Sequence, residues 1–248
     1  MSLDIHSPVT NIMMRAVRAA TKSVHRDFSE IDLLQNSKAG TLRFATNSVN
    51  RIRKILVEEI IKAKSECYVF DNEGNSIYGE KDSENRFLII PVDNFDNFMH
   101  GIPMFATAIA YQKLNYKDEY ETLSIVIDVP VQREFYYCEK GSAAWRETYT
   151  EGNTKPTRLR VSERKLPDEL LTNASNVYVK DFKISSFISR SPLLDILYCA
   201  NGKFDVLVMH DKAYEPFLTA IRESGGVVED RQGKIIARNT FLDNISLK

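Results

Sequence analysis

The tightest constraint on this chain is the stretch 90–98, Ile-Pro-Val-Asp-Asn-Phe-Asp-Asn-Phe. The apolar run Phe87, Leu88, Ile89 and Ile90 leads into it and reads as a buried strand; Pro91 ends that strand before polar residues that favour turns and helix starts. Strand ends are where metal sites are commonly built. Magnesium needs two or more carboxylate oxygens converging on one point and held still by packing. The stretch offers only Asp93 and Asp96.

Around it the chain reads as alternating helices and strands. Ser7-Pro8 is a cap and first-turn pair, and Val9, Ile12, Met13, Ala16, Val17, Ala20 and Val24 recur at helical spacing to about residue 28. A second helix is expected over 47–64, preceded by a loop at 39–46. Strands follow at 67–70, 105–111, 123–129 and 133–138, the last two as an antiparallel hairpin, with a polar loop at 147–156. Further short strands are read at 158–161 and 177–182. Ser191-Pro192 opens a helix, 204–208 is a strand, 216–223 a helix stopped by Gly225-Gly226, and 227–230 and 235–237 close the chain.

A chain of 248 residues, 43% hydrophobic and 27% charged, buries a core without staples. Cys67, Cys138 and Cys199 lie far apart with no Cys-x-x-Cys spacing, which argues against a disulfide framework or structural zinc and for a reducing cytoplasm. The four histidines are equally scattered. A net charge of −1 with dispersed Lys and Arg carries no direct nucleic-acid signal, and no apolar segment suits a membrane span or a signal peptide. The expectation is a soluble, unexported cytoplasmic protein.

The stretch 90–98, together with His100-Gly101-Ile102-Pro103-Met104-Phe105-Ala106, resembles the Asp-Pro-(Ile/Leu)-Asp-Gly-Thr-x-Asn-Phe signature of the inositol monophosphatase family. The flanks Arg86-Phe87 and Ala108-Ile109-Ala110 are most similar to its bacterial SuhB members. The resemblance implies a layered α-β-α-β-α sandwich, with an N-terminal α+β lobe (1–141) and a C-terminal α/β lobe (142–248). It also implies magnesium-dependent phosphomonoester hydrolysis, a homodimer, and, by the SuhB likeness, a partner in the transcription machinery.

Against that signature the chemistry is altered. Ile90 stands at the first metal-binding Asp, Asp93 at the second, and Asn94 and Phe95 where Gly and Thr belong. Val49 replaces the Asp that enters the second helix, and Asn72 aligns with the ligand Glu, with Glu73 beside it. Gly79-Glu80 gives an alternative placement but lies close to Ile90. Ala213 falls at the last ligand Asp, with Glu215 two residues on as a rescue. On the substrate side Met209 replaces a polyol-binding Glu and Arg190 a turn Gly. The residual metal candidates are therefore Asp93, Glu73 and Glu215, and the substrate candidates Asn94, Phe95, Arg190 and Met209. Asp93 has a structural role open to it as cap of a helix beginning at Asn94. Ile90, Val49 and Phe95 are expected to pack together where the metals would be.

Two readings follow. In the first the chain has lost its magnesium site and acts as a binding or regulatory protein, with no cofactor. In the second it is a magnesium-dependent phosphatase for inositol 1-phosphate or similar sugar phosphates, using Asp93, Glu73 and Glu215. A weaker third reading has Arg190 accepting an anion in a pocket without chemistry.

Overall fold

The computed structural model describes residues 6–149 and 156–247. Three helices open the chain: α1 (Pro8–Thr21), α2 (Val24–Leu33) and α3 (Lys38–Ala63). The single helix expected to residue 28 breaks at Lys22-Ser23. There the Thr21 hydroxyl bonds back to the Val17 carbonyl and Ser23 turns to Asp27, and both bonds compete with the helical ladder. Helix α3 starts at Lys38, about two and a half turns earlier than expected. Ser37 caps it through the Gly40 N–H, and Thr41, Ala45 and Ser48 continue the buried face of Ile52, Leu56 and Ile60. Hydrophobic spacing alone overlooks so small and polar a stripe.

The strands β1 (Tyr68–Asp71), β2 (Ser76–Tyr78) and β3 (Asn85–Ile90) precede a short helix α4 (Phe95–Met99). Then come β4 (Thr107–Leu114), β5 (Tyr120–Val129), β6 (Glu134–Glu139), β7 (Ala144–Thr148) and β8 (Thr157–Arg158). These form one eight-stranded sheet in the order β2-β1-β3-β4-β5-β6-β7-β8, with β1 and β3 parallel and the other pairs antiparallel. The sheet continues past residue 141 to Arg158. Of the expected polar loop, 147–148 belong to β7 and 150–155 lie outside the described residues.

The second half contributes β9 (Leu171–Thr172), β10 (Val177–Val179), β11 (Phe182–Lys183), β12 (Ser185–Ser186), α5 (Pro192–Ala200) and β13 (Val206–Met209). A 3-10 run (Lys212–Leu218) leads into α6 (Thr219–Glu223), and β14 (Val227–Arg231), β15 (Lys234–Arg238) and β16 (Ile245–Leu247) complete it. Strands β12-β9-β13-β15-β14 make a five-stranded sheet and β11-β10-β16 a three-stranded one.

Side-chain alternation along the strands creates the layers. Phe87 and Ile89 of β3 face α1 and α3 in one core; Leu88 and Ile90 face α5, α6 and the 3-10 run in another. Leu207 and Met209 of β13 join that second core from the far side, while Val206 and Val208 point to a third beneath β10 and β16. The three-stranded sheet thus covers the second sheet. All three cysteines are free and buried, Cys67 in the first core and Cys138 and Cys199 in the second.

Candidate functional site

Pro91 ends β3 and the chain turns at Asp93. Asn94 caps α4 by accepting from the Asn97 N–H at 2.8 Å, so the helix begins one residue later than the expected Asp93 cap requires. Asp93 instead serves a different helix. Its Oδ1 accepts from the Ala106 N–H at 2.7 Å, and its Oδ2 accepts from the Leu193 N–H at 3.1 Å and from the Ser191 hydroxyl, at the start of α5. Ser191 in turn accepts from the Leu194 N–H. The carboxylate thus ties the turn after β3, the entry to β4 and the N-terminus of α5 to one another. Burial pushes its pKa up to about 6 against those three hydrogen bonds, with the nearby Asp195 charge adding to the rise.

A second buried carboxylate lies one turn into α5. Asp195 accepts from the Ser189 hydroxyl at 2.6 Å and from Asn173 Nδ2 at 3.0 Å, and burial raises it too to about 6. Asn97 Nδ2 donates to the Ser189 carbonyl at 3.0 Å and to the Met104 carbonyl at 2.7 Å. On the open side Tyr214, from the 3-10 run, donates to the Asp93 carbonyl at 3.3 Å and receives a long contact from Asn72 Nδ2 at 3.5 Å. The Tyr214 hydroxyl is raised above the ordinary tyrosine range, by burial first and then by the negative charges of Asp93 and Asp211. Its neighbours on both sides are polar, but its ring belongs to the second core.

The other candidates scatter. Glu73 is exposed in the turn after β1, where its carboxylate accepts from Asn75 Nδ2. Glu215 is exposed on the 3-10 run. Among the described residues no group of three or more His, Cys, Asp or Glu is placed to hold a metal ion. Arg190 is exposed, with a left-handed backbone at φ +62°, and its carbonyl accepts from Asn94 Nδ2. Met209 is buried at the end of β13, paired with Ile235. The expected trio divides: Val49 and Phe95 pack on the first core, but Ile90, fully buried, faces the second. The period of the strand puts Ile90 on the opposite side of the sheet from the helices that carry Val49 and Phe95.

The sequence model of the inositol monophosphatase family matches residues 5–246. The chain belongs to that family. Among curated relatives of this family member, the inositol-1-monophosphatase of Rhizobium meliloti is 29% identical over 92% of this chain and 87% of its own length. The Nus factor SuhB of Pseudomonas aeruginosa is 28% identical over 94% and 92%. The solved structure of the extragenic suppressor protein suhB from Bartonella henselae superposes with a TM-score of 0.74 at 25% identity, covering 95% of each chain. These likenesses carry the layered architecture of the family. Inositol monophosphatases are generally magnesium-dependent, which gives the placement of the acids in this member its weight.

Hydrogen-bond partners, more than residue types, were what the sequence left out. No motif or spacing in the sequence marks Tyr214, Ser189, Asn173 or Asp195 as site residues. The sequence shows Ser191 as a cap, and the signal that it meets Asp93 from far along the chain is carried by the fold alone.

Proposed function

We propose that this inositol monophosphatase family member does not run metal-assisted phosphoester hydrolysis and acts as a binding or regulatory protein. One observation carries the reading: the carboxylate of Asp93 is spent on the protein's own Ser191, Leu193 and Ala106 donors. Ile90 supports it, because a fully buried alkyl group in the position of a ligand Asp brings neither a bond nor a charge. Asn72 offers a neutral amide, and Glu73 and Glu215 are exposed on separate segments. Losing even groups that surround a metal's ligands commonly costs about 10 to 100-fold in affinity or activity. Replacing ligands costs more.

The curated relatives that are named Nus factors support a partner in the transcription machinery, and a homodimer is the state we propose for the chain itself. The division into two lobes, 1–141 and 142–248, is proposed with its seam moved to the end of β8, where the first sheet stops.

The test is phosphate release from inositol 1-phosphate and other monoesters across magnesium and manganese concentrations, with Asp93→Asn as control and circular dichroism to verify folding. Release at the level of the control is the expected result. Metal-dependent turnover that disappears in Asp93→Asn, and drops in Glu73→Gln or Glu215→Gln, would overturn it.

A further inference from the structure

The face of the first sheet that carries Leu88 and Ile90 is not covered along its whole length. Its Ile90 end packs against α5, α6 and the 3-10 run, and towards the Arg86 end, about 13 Å away along the strand, that packing opens. The uncovered length is a cavity of ≈ 760 Å³ floored by β1, β3, β4 and β5 and walled by the 3-10 run and α6. That is the size of a metabolite site.

Arg86 projects from the middle of this floor, paired across the strands with Tyr68 and Gln112. Its guanidinium carbon lies 4.0 Å from the centre of the Tyr120 ring, 4.8 Å from that of Phe70 and 5.5 Å from that of Tyr68. The Tyr120 hydroxyl is itself anchored on the Ser83 carbonyl at 2.9 Å. Ring faces hold a guanidinium in place without neutralising it, since they offer a quadrupole and no acceptor in its plane. The arginine Nε is buried and has no hydrogen-bond partner, and among the described residues no carboxylate lies within ion-pair distance of the side chain.

The acids around the cavity are largely engaged elsewhere. Asp71 accepts from the Glu73 and Asn75 N–H groups, Glu121 pairs with Lys140, and Glu223 accepts from the Gly141 N–H. Glu119 and Glu215, both exposed, line it together with Arg222. An uncompensated planar fork at the floor calls for an oxyanion, and mixed charge in the lining calls for hydroxyl or amino groups on the rest of the ligand.

We propose that the cavity is a binding site for a small organic anion, a carboxylate or phosphate ester bearing hydroxyl or amino groups, with Arg86 as its anion receptor. The cavity also takes in Asn72, Ala213 and Glu215, positions that the family resemblance ties to metal ligands, but Arg86 is none of these, and its role as receptor holds whether or not the chain has hydrolytic activity.

The experiment is isothermal titration of the full chain at low ionic strength with inorganic phosphate and with citrate as separate probes. Saturable binding of at least one is expected, and the tighter of the two tells a phosphoryl from a carboxylate ligand. Arg86→Gln should weaken it by about tenfold or more, the scale of a hydrogen bond to a charged group, and Arg86→Lys, which keeps the charge but not the fork, by less. Lys62→Ala, on the opposite side of the sheet, should leave it unchanged. Amide chemical shifts on the unaltered chain give a readout that needs no variant: perturbations should centre on Arg86, Gln112, Tyr120 and Thr122. Absence of saturable binding, binding indifferent to Arg86→Gln, or shifts centred away from these strands would overturn the proposal.

Discussion

The two ends of one strand face, Ile90 and Arg86, stand four residues apart on β3 and have opposite fates. At Ile90 the helices of the second half close over the sheet, and everything there is matched: an isoleucine in hydrocarbon, a carboxylate with three donors, a tyrosine with two polar neighbours. At Arg86 the packing opens into a cavity, and a cation is left between aromatic rings with no ion-paired acid among the described residues. The difference teaches where binding capacity resides in this member of the family. The end that carries the family signature is committed to holding the fold, and unmet interactions are found at the other.

The largest test of that contrast is to restore the acid. Ile90→Asp places a charge in a closed core, and a destabilisation of about 3–5 kcal/mol is expected in urea unfolding, as for other uncompensated buried charges. If millimolar magnesium returned most of that stability, the covered end would still be a metal site and the contrast would break. Asp93→Ala comes next. It strands the Ser191 hydroxyl and the Ala106 and Leu193 N–H groups, for an expected loss of about 2–4 kcal/mol by the same measurement, whereas Asp93→Asn, which keeps an acceptor, should lose less.

A smaller effect follows from pH. Asp195 has its folded pKa raised by burial to about 6, above the ordinary value of 3.8. Between those values the folded chain holds a proton that the unfolded chain has released, so this group's contribution falls as pH rises through the window and is greatest at its acid end. Unfolding midpoints should therefore rise from pH 7 towards pH 5 by a contribution of roughly 1–3 kcal/mol, and Asp195→Asn should flatten the profile. Asp93 and Asp128, raised to about 6 by burial in the same way, leave a residual slope in that variant. The smallest effect is that of Tyr214→Phe. Removing the hydroxyl between Asn72 and the Asp93 carbonyl should cost about 1 kcal/mol, with the ring still packed.

Much of the fold was legible in the sequence because it rests on local pattern. The apolar run Phe87, Leu88, Ile89 and Ile90, the hairpin of β5 and β6, and the Ser191-Pro192 helix start are all written in neighbouring residues. The full length of α3 was not, since its first turns bury Thr41, Ala45 and Ser48, which no hydrophobic count registers. Of the candidate site, the kept and altered positions could be read, but not what each side chain would meet. Asp93 finds its partners about 100 residues away, and Ile90 is parted from Val49 by the strand's own pleat. The aromatic enclosure of Arg86 draws Tyr68, Phe70 and Tyr120 from two other strands, so no spacing in the sequence announces it.

The three cysteines give the molecule built-in clocks. Burial raises the thiol of Cys67 to about 11 and that of Cys199 to about 12, and raises Cys138 further, so the reactive thiolate is scarce while the cores stay shut. A labelling reagent then reads opening events and little else. Because Cys67 reports on the helices packed against the first sheet, and Cys138 and Cys199 on the interior between the sheets, the order in which the thiols become modifiable under mild denaturant records which layer lets go first.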